Sequence, residues 1–88
     1  MACDDASYLF ISLQQLLLEL EDLTIDLEAL PVLHWQASGL SSLAFIELVL
    51  HLENRHGCSL SNEALRSVQT FGDLAAALLA AGARELPT

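Results

Sequence analysis

The chain has 88 residues, of which 53% are hydrophobic, and its twelve acids against three arginines give a formal net charge of −9. This length and this apolar fraction predict one compact domain over residues 1–88, with a core from about 5 to 82, and argue against a disordered tail. So acidic a surface disfavours binding to nucleic acid or to anionic membranes, and it favours partners that carry basic patches.

Membrane and secretory segments are not predicted. No stretch of about 18 consecutive apolar residues occurs, which argues against a membrane-spanning helix. The first residues contain no basic stretch, which argues against a secretory signal. Cys3 and Cys58 match no metal or redox spacing, and two reduced thiols fit a reducing compartment. We therefore expect a cytoplasmic protein without a metal site.

Leucines at helical spacing predict a first helix from about residue 5 to 20. These leucines share one face: Leu9, Leu13, Leu16, Leu17 and Leu20. Ser12 is among the polar residues that this pattern assigns to the other faces. Residues 21–41 are then predicted to form a long connection, in which Pro31 stops a short turn over residues 27–30.

A second amphipathic helix is predicted from about residue 42 to 56, with Ser41 as its N-cap and Gly57 as its C-terminal stop. Its buried stripe comprises Phe45, Leu48, Val49 and Leu52. A second stripe, displaced around the helix, comprises Leu43, Glu47, Leu50 and Asn54. A helix with apolar residues on two faces is either deeply buried or presents one face to a partner.

Two further helices follow. A short one is predicted over residues 63–66, and a longer one runs from Phe71 to about residue 81. Thr70 and Asp73 are spaced as a capping-box pair at the start of the longer helix, and Gly82 ends it. Three substantial helices, one short helix and a long first connection predict an all-α fold, a small four-helix bundle.

Ser42 offers a hydroxyl at the first turn of the second helix, where unpaired N–H groups and the positive end of the macrodipole favour a phosphate ester. The surrounding segment, residues 39–53, resembles the Asp-Ser-Leu attachment motif of acyl and peptidyl carrier proteins. Residues 52–57 resemble the Leu-Glu-x-x-Phe-Gly helix ending of that family, and residues 70–74 resemble its Thr-Val-Gly-Asp-Leu segment. The three matches occur in the family's order, and the resemblance covers most of the chain.

The resemblance implies a bundle of the acyl-carrier type, in which Ser42 bears a 4′-phosphopantetheine arm. Ser41 stands where the family usually has aspartate. Its hydroxyl can still cap the helix, but the negative charge beside the attachment site is lost. The lost charge is expected to weaken recognition by a generic phosphopantetheinyl transferase. Leu43 sets the register of the motif in favour of Ser42 as the acceptor.

By the same resemblance, the partner-docking residues are Leu43, Glu47, Leu50 and, as a lesser candidate, Glu53. The implied partners are a phosphopantetheinyl transferase and acyl-loading and biosynthetic enzymes with basic or apolar docking patches. The implied function is an acyl carrier protein. The chain length and Met1 favour a free-standing, monomeric carrier, and a domain excised from a larger synthase is the alternative. The carrier would hold acyl or aminoacyl intermediates as thioesters for a specialised polyketide, fatty-acyl or nonribosomal pathway. Such a carrier is not an enzyme and has no catalytic residues of its own.

An unmodified helical scaffold is the alternative function, and Ser41 is the feature that favours it. A serine hydrolase is excluded, because residues 39–43 lack the second glycine of a nucleophile elbow and no strand precedes them. Trp35 is predicted to anchor the long connection to the core, and contact with the arm or with a partner is its alternative role. The three histidines are predicted to lie on the surface or in loops: His34, His51 and His56.

Overall fold

The computed structural model describes residues 7–84. Its elements, in chain order, are α1 (Ser7–Glu21), a 3-10 turn (Leu30–Val32), α2 (Ser42–His56), α3 (Asn62–Ser67) and α4 (Phe71–Ala80). No strand occurs among residues 7–84, where one isolated antiparallel bridge joins His34 to Thr70. The predicted all-α class, with three longer helices, one short helix and a long first connection, is confirmed. Cys3 and the predicted start of the first helix near residue 5 lie outside the described residues.

One apolar core joins the three longer helices and the connections. Its buried members are Leu9, Leu13, Leu16, Leu17, Leu30, Leu40, Phe45, Leu48, Val49, Leu52, Val68, Phe71, Leu74, Ala75 and Leu78. The whole predicted stripe of α2 is among them. Leu20, expected on the buried face of α1, is instead exposed. The chain leaves the helix after Glu21, and the Leu23 N–H bonds to the Leu17 carbonyl oxygen. Leu23 therefore packs against the core at that end of α1.

Two polar side chains lie inside this core, and both contradict the sequence-based expectation. His56, predicted on the surface, is 4% exposed, and Ser12, assigned to a polar face, is buried as well. His56 Nε2 lies 3.0 Å from Ser12 Oγ, and its Nδ1 lies 2.8 Å from the Arg84 carbonyl oxygen. Both ring nitrogens are hydrogen-bonded, which removes the main cost of burying the imidazole. His34 and His51 are exposed, as predicted.

The long connection packs onto α4 through its backbone. Pro31 lies inside the 3-10 turn and does not stop an earlier turn, because its locked φ suits the first positions of a helical turn. The Leu33 carbonyl oxygen accepts a hydrogen bond from the Phe71 N–H at 3.0 Å. Gly72 lies so close to Pro31 that a Cβ at this position would collide with the Pro31 carbonyl oxygen. These contacts hold the long connection, which leads to α2, against the start of α4.

The later helices begin at capped N-termini. Ser61 Oγ accepts a hydrogen bond from the Ala64 N–H at 3.1 Å at the start of α3. Thr70 and Asp73 form the predicted capping box of α4, in which each side chain accepts a hydrogen bond from the other residue's N–H. Gly57, in the left-handed region at φ +67°, ends α2 as predicted.

Candidate functional site

Ser42 is the first residue of α2, and its side chain is exposed. The preceding residue, Ser41, is the N-cap: its backbone is extended, and its Oγ accepts a hydrogen bond from the Ala44 N–H at 3.1 Å. Leu40, buried just before the cap, holds the incoming chain to the core. The Ser42 hydroxyl therefore lies at the positive end of the helix dipole, where a phosphate ester is stabilised.

Trp35 holds the loop that leads to Ser42. Its indole stacks on Phe45 of α2, with ring centroids 4.1 Å apart and planes 11° from parallel. Its Nε1–H donates to the Val68 carbonyl oxygen at 3.2 Å, and its backbone N–H donates to the Gln69 carbonyl oxygen at 3.0 Å. Trp35 thus packs against the core, as predicted, and ties the loop both to α2 and to the α3–α4 connection.

A groove of about 200 Å³ opens beside Ser42. Its lining residues are Trp35, Ser42, Phe45, Ile46, Leu65 and Arg66. The wall is mainly apolar, and Arg66 is its one charged side chain. An elongated, largely neutral arm fits this surface, because its carbon skeleton meets apolar side chains. Sequence reasoning missed Arg66, since its place beside Ser42 depends on how α3 packs.

The side of α2 next to Ser42 presents apolar side chains to solvent. Leu43 is 71% exposed and Leu50 is 52% exposed. Glu47 is exposed on the same side, and so is Ile46, which sequence reasoning missed. We call these four residues the α2 patch. Large apolar side chains exposed together on one helix are typical of an interaction surface.

Glu53 differs from the residues of the α2 patch. Its side chain is half-buried, and its Oε2 accepts a hydrogen bond from the Leu60 N–H at 2.6 Å. The carboxylate thereby holds the loop after α2 against the helix. This intramolecular bond occupies part of the carboxylate that a docking enzyme would contact, and a docking role for Glu53 stays a prediction.

The surroundings of Ser42 are poor in negative charge. The first turn of α2 contains no acid, whereas Arg55 and His56 occupy its last turn. The acid nearest to Ser42 in the sequence is Glu47, and Arg66 lines the groove. The surface around Ser42 is therefore mainly apolar, although the whole chain has a net charge of −9.

Other reactive side chains do not form a second site of nucleophilic or metal chemistry in the described part of the chain. Burial, and to a lesser extent the nearby Glu53, raises the pKa of the Cys58 thiol, which keeps it protonated and poorly nucleophilic at neutral pH. Between residues 7 and 84 no group of three or more histidine, cysteine or acidic side chains is placed to hold a metal ion. No helix in that range has the length and apolar character that crossing a membrane requires.

A family model described as "Phosphopantetheine attachment site" matches residues 11–78, which include Ser42 and most of the bundle. No curated protein and no solved structure matches the chain. Members of this family bind 4′-phosphopantetheine covalently on a serine, and they are carriers rather than enzymes. They are modified by a phosphopantetheinyl transferase and interact with biosynthetic enzymes. This chain therefore belongs to the phosphopantetheine attachment-site family of carrier proteins.

Proposed function

We propose that Ser42 is the attachment serine and that this chain is an acyl carrier protein, which holds acyl or aminoacyl intermediates as thioesters on its arm. The observation that supports this assignment most directly is the exposed Ser42 hydroxyl at the capped start of α2, beside an apolar groove. Ser41 is less suited to receive the phosphopantetheine group, because its Oγ already accepts the N-cap hydrogen bond from the Ala44 N–H. The proposal includes a free-standing, monomeric carrier in the cytoplasm.

Attachment requires Ser42 to act as the nucleophile inside a transferase. Its Oγ forms an ester bond to the phosphorus that bears pantetheine in coenzyme A, and the bond from this phosphorus to 3′,5′-ADP breaks. The electron pair leaves with 3′,5′-ADP, and the serine proton passes to a base on the transferase, which also supplies Mg²⁺. The N-terminus of α2 stabilises the phosphodiester at Ser42. When bound, the arm presents a thioester at high local concentration to successive enzymes.

The α2 patch supports a dedicated carrier of a specialised polyketide, fatty-acyl or nonribosomal pathway. Carriers of primary fatty-acid synthesis tend to have a dense acidic run on this helix. Here Glu47 is the one acid of the patch, and Glu53 is engaged inside the chain. Docking would rest largely on the apolar members of the patch, so that generic fatty-acid synthase enzymes should turn over the acyl form poorly. Turnover equal to that of their own carrier would count against this pathway assignment.

An unmodified helical scaffold is the second candidate function, and Ser41 is the observation that favours it. Aspartate is usual at this position in carriers, and Ser41 supplies the helix cap without the charge. A scaffold and a carrier share the same bundle, so the fold does not separate them. The two functions differ in whether Ser42 is modified and in whether function is lost when Ser42 is replaced.

The test is the intact mass of the protein after incubation with coenzyme A, Mg²⁺ and a broad-specificity phosphopantetheinyl transferase. Ser42→Ala and Ser41→Ala form a matched pair, since each removes one hydroxyl from adjacent positions. We expect the wild type and Ser41→Ala to gain one phosphopantetheine mass and Ser42→Ala to gain none. A wild type that is helical by circular dichroism but gains no mass with any of several phosphopantetheinyl transferases would overturn the carrier assignment in favour of the scaffold.

A further inference from the structure

A second cavity, of about 470 Å³, adjoins the groove at Ser42. Its walls include His34, Trp35, Gln36, Leu65, Arg66 and Gln69. Trp35, Leu65 and Arg66 line both spaces, so the groove and the cavity meet across these three side chains. The volume falls within the range of small-molecule pockets, about 300 to 1,000 Å³. We call this space the Trp35 cavity.

The Trp35 cavity is polar, whereas the groove at Ser42 is mainly apolar. Its polar side chains are the Arg66 cation, the carboxamides of Gln36 and Gln69, and His34, and none of its lining residues is acidic. In a chain with twelve acids, a wall of this composition selects for anions and hydrogen-bond acceptors. The Asp73 carboxylate, which interacts with His34, is already engaged by backbone N–H groups at the start of α4.

We infer that the Trp35 cavity binds the acyl group tethered to Ser42 when that group ends in a carboxylate or a comparable oxygen-rich function, with Arg66 as the anchoring cation. This inference rests on the proposed attachment of the arm at Ser42. A plain alkyl chain gains little in the cavity, because it desolvates the guanidinium and the carboxamides without returning hydrogen bonds. It lies against the apolar groove instead. The two spaces thus sort tethered cargo by polarity.

Arg66 also lines the groove that contains Ser42, so the phosphodiester of the arm is a second source of negative charge. The experiment must separate this charge, which every loaded form shares, from a charge on the cargo. Three forms of the protein do so, with Ser42 loaded from malonyl-coenzyme A, from butyryl-coenzyme A and from coenzyme A itself. Malonyl and butyryl groups are similar in size, but only malonyl ends in a carboxylate. Coenzyme A supplies the arm without an acyl group.

Trp35 is the single tryptophan of the chain, so its indole N–H gives one resonance in a ¹H–¹⁵N spectrum. We expect malonyl loading to shift this resonance and that of Arg66 Nε–H, while the other two loaded forms resemble each other. The malonyl thioester should also hydrolyse about two- to fivefold more slowly in the wild type than in Arg66→Gln, as a partly exposed charge pair would produce. Arg55→Gln removes the same charge from the far end of α2 and is the matched control.

A malonyl-specific shift that Arg66→Gln abolishes and Arg55→Gln retains would support the Trp35 cavity as an acyl site. Equal shifts in all three loaded forms would assign Arg66 to the phosphodiester and overturn the inference. Equal behaviour of the two arginine variants would overturn it as well. The intact mass of each form reports separately on attachment. If no form loads, the proposed function fails and the inference falls with it, whereas loading without a malonyl-specific shift leaves the proposed function standing.

Discussion

The imidazole of His56 and the hydroxyl of Ser12 form a hydrogen bond of 3.0 Å inside the helical bundle, although 44 positions separate them in the chain. The Arg84 carbonyl oxygen only accepts hydrogen bonds, so Nδ1 of His56 is the donor on that side. In the neutral ring, Nε2 then accepts the proton of the Ser12 hydroxyl. His56 stands where the carrier-protein motif has phenylalanine, and Ser12 supplies the partner that allows a polar ring to occupy a buried position.

Removal of the Ser12 hydroxyl tests the contribution of this bond to stability. Ser12→Ala leaves Nε2 of His56 buried without its partner, and we expect the free energy of unfolding to fall by about 1 to 3 kcal/mol. Ser59→Ala removes the same atom from an exposed loop and should change it by less than about 0.5 kcal/mol. Urea unfolding followed by circular dichroism measures both. Equal stability of the two variants would mean that the buried bond makes no net contribution.

Gly72 is required where α4 meets the 3-10 turn. In an unhindered helix, replacing glycine by alanine stabilises by roughly 0.5 to 1 kcal/mol. A methyl group at position 72 would instead meet the Pro31 carbonyl oxygen, a backbone atom that cannot rotate away. We expect Gly72→Ala to lower the free energy of unfolding by about 1 to 3 kcal/mol. Urea unfolding measures this change. A higher free energy of unfolding for Gly72→Ala would contradict the prediction, because it would show that the backbone at Pro31 moves aside without a net cost.

The Asp73 carboxylate makes the stability of the bundle sensitive to acid. The Thr70 N–H, then the Gln69 N–H, donates to it and lowers its pKa, and the Thr70 hydroxyl and His34 add to the effect. A pKa that is lower in the folded state than in the unfolded state stabilises the folded protein. This contribution is fully present at pH values above the ordinary aspartate pKa of about 3.9, and it is lost as the pH falls through the pKa of the folded state.

The stability difference between the wild type and Asp73→Asn should therefore be constant near neutral pH and shrink below about pH 4. Urea unfolding at a series of pH values measures it. Asp26→Asn, in the exposed part of the long connection, controls for removal of a negative charge. A difference between wild type and Asp73→Asn that stays constant into strong acid would contradict the role given to the charged carboxylate.

Restoration of a charge at position 41 tests what the departure from the family motif does. Ser41→Asp keeps an N-cap and adds a negative charge beside Ser42, whereas Ser41→Asn caps about as well without the charge. We expect Ser41→Asp to raise kcat/KM for the transferase by up to about fivefold at low salt, the factor that about 1 kcal/mol of attraction supplies. The gain should fade as salt is added. An equal gain with Ser41→Asn would assign the effect to capping.

Leu50 and Leu18 offer a matched test of docking through the α2 patch, because their side chains are 52% and 50% exposed. Replacement of either by glutamine should leave stability nearly unchanged, since both side chains already meet water. Leu50→Gln should lower kcat/KM for the transferase about fivefold, because about 1 kcal/mol of apolar contact is lost. Leu18→Gln, on α1, should leave it unchanged. Equal effects of the two variants would remove Leu50 from the docking surface.

The helices, their caps and the buried stripe of α2 could be predicted from the sequence because they depend on local interactions. Helix caps such as Ser41 and Thr70 act on N–H groups three residues away, and Gly57 ends α2 through its own backbone conformation. The spacing of apolar residues on α2 marks its buried stripe without reference to any other helix. Such short-range relations are present in the order of residues, which is why the all-α bundle and the exposed serine at the start of α2 were predictable.

Contacts between distant segments were decided by the tertiary structure. His56 was expected at the surface because its hydrogen-bond partner, Ser12, belongs to another helix, and Arg66 reaches the groove at Ser42 only through the packing of α3. The spacing of apolar residues does not predict contacts between different helices, since these contacts depend on the angles at which the helices cross and on the paths of the loops. The sequence by itself determined the helices, their caps and the place of Ser42. Only the assembled core decided the buried His56–Ser12 pair and the arginine beside the candidate attachment site.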